Sequence, residues 1–213
     1  LNPKCEVVVP ETHQAIYIKD GIFQEVLEGG RHKIFDVKKG LFGAMKKVNA
    51  TLDLIFVSKT CQIKVLWGTM NPIKAKDPFT NIPVEIKGRG EFTVQIENPK
   101  QLYLSIVGAD KKFDVASLKA RLLGRMLSFV ESEIAKVAKD RLLSYMDLDY
   151  NKKEIGDTLE SPLRAMFSEE FGLHLFTFTV YALEIDEKER QEIEAARKAE
   201  ADHIKTKRKS KNS

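Results

Sequence analysis

The sequence contains few of the residues on which catalytic metal sites, disulfide scaffolds and membrane spans depend. Its 213 residues include two cysteines, Cys5 and Cys61, with no CxxC pair, and four histidines, none of which lies three or four positions from another. A disulfide framework and a zinc site are therefore unsupported, and a reducing compartment is indicated. No apolar run reaches the roughly 18 residues of a membrane span, and charged residues interrupt any signal peptide at the N-terminus.

The common signatures of nucleotide-dependent and hydrolytic enzymes are also missing. The sequence contains no GxxxxGK[ST] phosphate loop, no GxGxxG turn between a strand and a helix, and no GxSxG elbow. Lysine and arginine outnumber aspartate and glutamate by 35 to 31, a net charge of +4, which is a small excess for a nucleic-acid-binding protein. We therefore expect no catalytic residues, no metal, no cofactor and no nucleic-acid partner.

The composition is that of a folded chain, and its first hundred residues have the pattern of β-strands. Hydrophobic residues make up 43% and charged residues 31%, which is enough for a core. Asp20-Gly21 between two β-prone runs predicts a type I′ hairpin. We expect residues 62–67 to pair with residues 51–57, residues 68–83 to form a connector, and Gly88-Arg89-Gly90 to mark a bulge or tight turn.

After residue 97 the hydrophobic pattern changes to that of helices. Asn98-Pro99 predicts a helix start, and a stripe of apolar residues from Val115 to Tyr145, which includes Leu142, predicts a second helix about 45 Å long. A third helix should run from about residue 152 to Gly172, kinked or divided at Pro162. Residues 173–185, apolar on alternate positions of both faces, predict a strand covered on both sides. The fold class is therefore α+β, with a mainly antiparallel sheet in the N-terminal half, packing helices, one late strand and a C-terminal helix.

The last residues differ in composition and predict a polar helical tail. Residues 186–209 contain no glycine, proline or aromatic residue and are rich in good helix formers. We divide the chain into a domain at 1–185 and a tail at 186–213, interpreted as the start of a longer helix. The spacing of the tail predicts weak coiled-coil contacts between copies of the chain at Ile193, Ala196, Glu200, His203 and Ile204. Its end carries the basic residues Lys205, Lys207, Arg208, Lys209 and Lys211, which fit a solvated terminus, a nuclear-localisation signal or contact with an anionic surface.

Several strings together resemble one family over nearly the whole chain. The opening Val-Pro-Glu-Thr-His-Gln-Ala at residues 9–15 and Glu-Gly-Gly-Arg-His at residues 28–32 resemble the start of an SPFH (stomatin–prohibitin–flotillin, or band 7) domain, with Gly29 in place of the usual proline. Trp67-Gly68-Thr69, Pro72-Ile73, Asp77 and Gly88-Arg89-Gly90 through Asn98-Pro99 resemble the bacterial branch described as virion-core-like. Residues 171–185 resemble the last strand before that family's coiled-coil helix.

The resemblance implies a non-enzymatic scaffold. Such proteins assemble into rings or cages on the cytoplasmic side of a membrane, where they organise lipids and bind partner proteins. This chain lacks the N-terminal hydrophobic hairpin of many relatives, so the resemblance implies peripheral attachment, through partners or otherwise. Two other hypotheses remain open from the sequence: a soluble, monomeric adaptor for proteins, and an enzyme whose site no motif reveals.

Overall fold

The structure is a computed structural model that describes residues 4–35, 51–107, 115–141 and 143–211. Over these residues the chain is α+β, with antiparallel sheets in the N-terminal half, helices, a late strand and a C-terminal helix, as predicted. The chain divides into two compact units. Unit 1 comprises Leu1–Ile63, Val94–Phe113 and Met166–His174, and unit 2 comprises Lys64–Thr93, Asp114–Ala165 and Leu175–Ser213. The division into a domain at 1–185 and a tail stays a prediction, but the tail belongs to unit 2.

Unit 1 begins with two small antiparallel sheets. Its strands are β1 (Lys4–Val9), β2 (His13–Lys19), β3 (Ile22–Leu27), β4 (Gly30–Phe35) and β5 (Leu52–Ser58). Strand β1 pairs with β4, and β2 lies between β3 and β5. The predicted hairpin turn is confirmed, because Asp20 and Gly21 both adopt positive φ values, of 50° and 75°, as a type I′ turn requires.

Both faces of the β3-β2-β5 sheet contribute to hydrophobic clusters, and its central strand β2 is buried from Ala15 to Ile18. Ala15, Tyr17 and Leu27 on one face form a cluster with Val7, Val9 and Ile34 of the β1-β4 sheet. Ile16, Ile18 and Val57 on the other face form a cluster with Tyr103 of helix α1 (Pro99–Val107). Unit 1 therefore has a sheet–sheet–helix arrangement. The predicted helix start is confirmed, since the Asn98 side chain accepts a hydrogen bond from the backbone N–H of Gln101 at 3.0 Å.

In unit 2, the strand β8 (Pro83–Ile96) pairs with every other strand of its sheet: β6 (Gln62–Gly68), β7 (Ile73–Lys76) and β9 (Leu173–Glu184). Two predictions were wrong here. Strand β6 pairs with β8 rather than with β5, and the connector expected at 68–83 contains β7. No turn interrupts β8 at Gly88-Arg89-Gly90. These glycines instead make room for the indole of Trp67, since a Cβ on Gly90 would lie 2.8 Å from its Nε1.

The helices of unit 2 follow the predicted apolar stripe, but the long one is shorter than expected. Helix α2 (Val115–Asp140) ends before Tyr145, which lies buried in a 3-10 helix at Tyr145–Asp147. A projecting end of the long helix would have made Leu142 and Tyr145 candidate contacts between copies, but the burial of Tyr145 excludes it from that role. Helix α3 (Lys152–Phe171) includes Pro162 without dividing into two segments, and Gly172 ends it with φ +64°. The sequence also predicts that Gly108 ends the first helix, that Asp114 caps the second and that residues 38–47 form a basic loop or short turn. These positions and Leu142 lie outside the described residues.

Strand β9 and helix α4 (Glu187–Lys211) complete the chain. Between Phe178 and Ala182, β9 is covered on one side only, because Phe178, Val180 and Ala182 are buried while Thr179 and Tyr181 are exposed. The prediction of two covered faces was therefore wrong for that part. The ring of Phe178 stacks on the indole of Trp67, with centroids 5.4 Å apart and planes 7° from parallel. This stack packs β9 against β6.

Candidate functional site: the C-terminal helix and its attachment

Helix α4 begins with a reciprocal cap that also ties it to the sheet. The Asp186 carboxylate accepts a hydrogen bond from the backbone N–H of Lys188 at 2.9 Å, and the Glu189 carboxylate accepts one from the backbone N–H of Asp186 at 3.2 Å. This is a capping box built on aspartate. Both oxygens of Glu189 also accept the backbone N–H of Glu85 in strand β8, at 3.1 and 3.2 Å. The sequence contained this signal as Asp-x-x-Glu, but sequence reasoning missed it.

Two arginines attach the next turns of α4 to unit 2. Arg190 donates a hydrogen bond to the backbone carbonyl of Met146 at 3.1 Å. The guanidinium of Arg197 lies 5.0 Å from the centre of the Phe79 ring, 3.6 Å from a carboxylate oxygen of Asp147 and 3.5 Å from the sulfur of Met146. A flat, delocalised cation suits this position, because it can lie over a ring and meet a carboxylate at its edge.

The predicted oligomerisation residues do not share one environment. Ile193 is a core residue with none of its surface exposed. It is therefore covered by its own chain, and its contact with another copy stays a prediction. Ala196 is half-buried, whereas Glu200, His203 and Ile204 are exposed. The reason is that Ile193 lies within the attached turns of α4, between Arg190 and Arg197, where the helix packs on its own chain.

Beyond Arg197, no side chain of α4 that the structure describes is buried. Every described side chain from Lys198 to Lys207 is exposed, and the helical backbone continues to Lys211. Of the predicted basic residues, Lys205 lies 3.8 Å from Asp202 and Lys207 is exposed. The side chains of Arg208, Lys209 and Lys211 lie outside the described residues. Helix α4 thus has an attached part up to Arg197 and an exposed part from Lys198.

The segments that contact Arg197 are joined by the buried carboxylate of Asp77. One oxygen of Asp77 accepts hydrogen bonds from the backbone N–H groups of Phe79 and Thr80, at 3.1 and 3.0 Å, and from the Thr80 hydroxyl at 3.1 Å. The other accepts the Ser144 hydroxyl at 2.6 Å and the backbone N–H of Tyr145 at 3.0 Å. Asp77 is wholly buried. It therefore connects the turn before β8 to the segment after α2, 67 residues away.

The ionisation of Asp77 follows from these contacts. Burial acts to raise the pKa of the Asp77 carboxyl, but hydrogen bonds from Ser144, Thr80, Tyr145 and Phe79 outweigh burial and lower the pKa below its usual value. The same negative charge and burial raise the pKa of the Tyr145 hydroxyl, with burial the larger cause. Asp77 is therefore ionised at neutral pH, and its charge is balanced by donors rather than by a cation. In the sequence it stood out only as part of the family resemblance.

A second polar group lies on the exposed face of the sheet in unit 2. Lys64 of β6 and Tyr181 of β9 both contact Glu91 of β8, with the Lys64 nitrogen 2.9 Å from a Glu91 oxygen. The hydrogen bond from Tyr181 and then that from Lys64 lower the pKa of Glu91, and the bond to Glu91 raises the pKa of both partners. This is a cross-strand row of the kind that stabilises sheets.

The described residues contain neither a candidate metal site nor a candidate membrane-spanning helix. Within the four described ranges, no group of three or more histidine, cysteine, aspartate or glutamate side chains is arranged to hold a metal ion. No helix in the same ranges is both long and apolar enough to cross a membrane. Cys61 is an exposed, free thiol.

Comparison with known protein families shows to which family the chain belongs. The family model of the SPFH domain-Band 7 family matches residues 3–201, which include most of both units and the attached part of α4. The chain belongs to the SPFH domain-Band 7 family. No curated protein matches the sequence.

Membership in the SPFH domain-Band 7 family indicates, at a coarse level, a scaffold-type role in association with a membrane. The structure explains several strings that carried the resemblance. Gly88 and Gly90 are needed beside Trp67, Asn98-Pro99 caps α1, and Asp77 joins two distant segments. The bacterial virion-core-like branch is not established by the match.

Proposed function

We propose that this chain is a non-enzymatic scaffold that assembles through the exposed part of helix α4 and organises proteins or lipids at the cytoplasmic face of a membrane. The observation that carries the proposal is the division of α4 at Arg197. The attached part fixes the helix to unit 2, while the exposed part, from Lys198, leaves Glu200, His203 and Ile204 uncovered. Family membership supports the scaffold role.

The exposed part is too short and too polar to associate strongly by itself. Ile204 is the one large hydrophobic side chain on it among the described residues, and it is 46% exposed. Two heptads with a single isoleucine give weak pairing. Assembly therefore depends on many copies acting together, since a ring or patch of weakly pairing helices gains affinity through effective concentration.

The basic end of α4 supports the surface-contact part of the proposal. Lys205 and Lys207 are exposed, and Arg208, Lys209 and Lys211 follow on the same helix. Near an anionic membrane each such residue contributes about 1 kcal/mol, an attraction that decays within a Debye length of about 8 Å at physiological salt. Contact with lipid should therefore require anionic headgroups and weaken as salt rises.

Assembly is tested by measuring the molar mass of the chain by light scattering over a range of concentrations. The substitution Ile204→Glu places a charge among the predicted contact residues, and Thr206→Glu adds the same charge two residues further on, on the opposite side of the helix from Ile204. We expect Ile204→Glu to reduce the mass and Thr206→Glu to leave it unchanged. A single monomer mass for all three proteins at every concentration would refute assembly and favour the monomeric adaptor.

Surface contact is tested by co-sedimentation with vesicles of phosphatidylcholine alone and with added phosphatidylserine. The double substitution Lys205→Glu with Lys207→Glu should abolish binding to anionic vesicles, whereas Lys119→Glu, an exposed position on α2, should not. Binding that is equal on both vesicle types, or unaffected by 0.5 M salt, would contradict the electrostatic contact.

A further inference from the structure

The contacts of Arg197 come from two segments that are far apart in the sequence. Phe79 lies in the turn between β7 and β8, whereas Met146 and Asp147 lie in the 3-10 helix after α2. We call these three residues the Arg197 site. The site exists only when the two segments are held side by side, because Arg197 meets a ring from one segment and a carboxylate from the other.

Asp77 holds those two segments together. One oxygen of its carboxylate takes all its hydrogen bonds from Phe79 and Thr80, and the other takes its bonds from Ser144 and Tyr145, the residues just before Met146. The backbone N–H of Phe79, whose ring faces Arg197, is one of the donors. The buried carboxylate and the Arg197 site therefore share the same two segments, with the carboxylate inside and the site at the surface.

We propose that Asp77 is a positioning residue for helix α4: it builds the Arg197 site, and the Arg197 site fixes the direction in which the exposed part of α4 leaves unit 2. The Glu189 cap and Arg190 attach the first turn of the helix. Arg197 lies two turns further on, at the end of the attached part of α4. Without Arg197 the helix is held only as far as the buried Ile193, about one turn beyond Glu189, and can tilt, whereas attachment one turn further on fixes its axis.

The direction matters because the exposed part is long compared with a side-chain contact. From Lys198 to Lys211 the helix extends about 20 Å at about 1.5 Å per residue. A tilt of about 20° at Arg197 would displace the far end by about 7 Å, which exceeds the reach of a packing contact. The consequence for assembly rests on the proposed function, but the positioning of the helix does not.

The test measures hydrogen–deuterium exchange of the whole chain, diluted until light scattering shows monomers. Arg197→Ala should raise exchange of backbone amides in residues 191–201 about three- to tenfold, since one ring contact and one ion pair are lost. Arg197→Lys should show a smaller increase, because it keeps the charge near Asp147 but lacks the flat group that lies over Phe79. Arg164→Ala removes a 2.5 Å ion pair with Glu160 on α3 and is the matched control, with no change expected in α4.

The role of Asp77 is tested by combining substitutions. Asp77→Asn should raise exchange in the same amides of α4, and Asp77→Asn with Arg197→Ala should raise it no further than Arg197→Ala alone, because both act through one site. Should Asp77→Asn fail to fold, Ser144→Ala removes a single donor and should give a smaller increase in the same amides. Unchanged exchange in α4 for Asp77→Asn and Ser144→Ala, or an additive effect in the double variant, would overturn the proposal.

A failure of the proposed positioning of α4 can be distinguished from a failure of the proposed scaffold function. Exchange is measured on monomers, so it reports the attachment of α4 whether or not the chain assembles. If Arg197→Ala shows fast hydrogen–deuterium exchange in α4 but the parent protein does not assemble, the positioning of α4 is supported and only the scaffold function is refuted.

Discussion

Replacement of Gly90 by alanine should destabilise unit 2 far more than a single methyl group normally does. A Cβ at Gly90 would overlap the backbone carbonyl oxygen of Thr179 in the neighbouring strand and would lie 2.8 Å from Nε1 and 2.9 Å from Cε2 of Trp67. The carbonyl cannot turn aside without moving strand β9. The indole cannot move freely either, because it stacks on Phe178.

The magnitude follows from these two obstacles. Added methyl groups in a packed core cost about 1–3 kcal/mol and occasionally more. Since a fixed backbone atom and a stacked ring both obstruct this methyl, we expect Gly90→Ala to lower the free energy of unfolding by about 3–5 kcal/mol. A chain of this kind has about 5–15 kcal/mol of net stability, so the variant should still fold at low temperature.

Urea unfolding followed by tryptophan fluorescence measures the effect at the right place, because Trp67 is the only tryptophan. The matched control is Gly124→Ala in helix α2, where the added methyl meets no described atom within 4 Å outside the adjacent residues and backbone of its own helix. This change should stabilise the protein by about 0.5–1 kcal/mol, as alanine is the better helix former. A loss below about 1 kcal/mol for Gly90→Ala, with unchanged Trp67 emission, would refute the packing argument.

Three further predictions concern the core and the charges. Ile193→Ala should lower the free energy of unfolding by about 2–4 kcal/mol because its side chain is fully buried, whereas Ile204→Ala should change it by less than about 0.5 kcal/mol; equal effects in chemical denaturation would contradict the division of α4. Because the folded-state pKa of Asp77 is lowered, its contribution to stability is complete above its unfolded pKa of about 3.9 and disappears as pH falls through the folded value. Melting temperatures of Asp77→Asn should therefore fall less between pH 5 and pH 3 than those of the parent; parallel curves would show that Asp77 is not the group responsible. Lys64→Met removes one partner of an exposed ion pair and should leave the melting temperature almost unchanged, because water screens exposed pairs; a clear drop in thermal unfolding would contradict this.

Features encoded over a few neighbouring residues were predictable from the sequence. The Asp20-Gly21 turn, the Asn98 cap and the end of α3 at Gly172 all follow from backbone conformations that only certain residues adopt or cap. The stripe of α2 was predictable for the same reason, because residues three or four apart share a helix face whatever lies opposite. The α+β class and the family resemblance needed no more than these local patterns and their order.

Features that depend on distant segments were decided by the tertiary structure. Three examples are the pairing of β6 with β8, the need for glycine at position 90 beside Trp67, and the hydrogen bonds by which Asp77 joins two segments. Each depends on residues more than 15 positions away, and no local propensity encodes such a pairing. Helix α4 shows the limit most clearly. Its helical state follows from its composition, but spacing could not separate Ile193, which packs in the core, from Ile204, which is exposed. The same side chain at the same helical spacing is a core residue or a surface residue according to what lies beside it, and here the sites of Arg190 and Arg197 decide where the covered part of the helix ends.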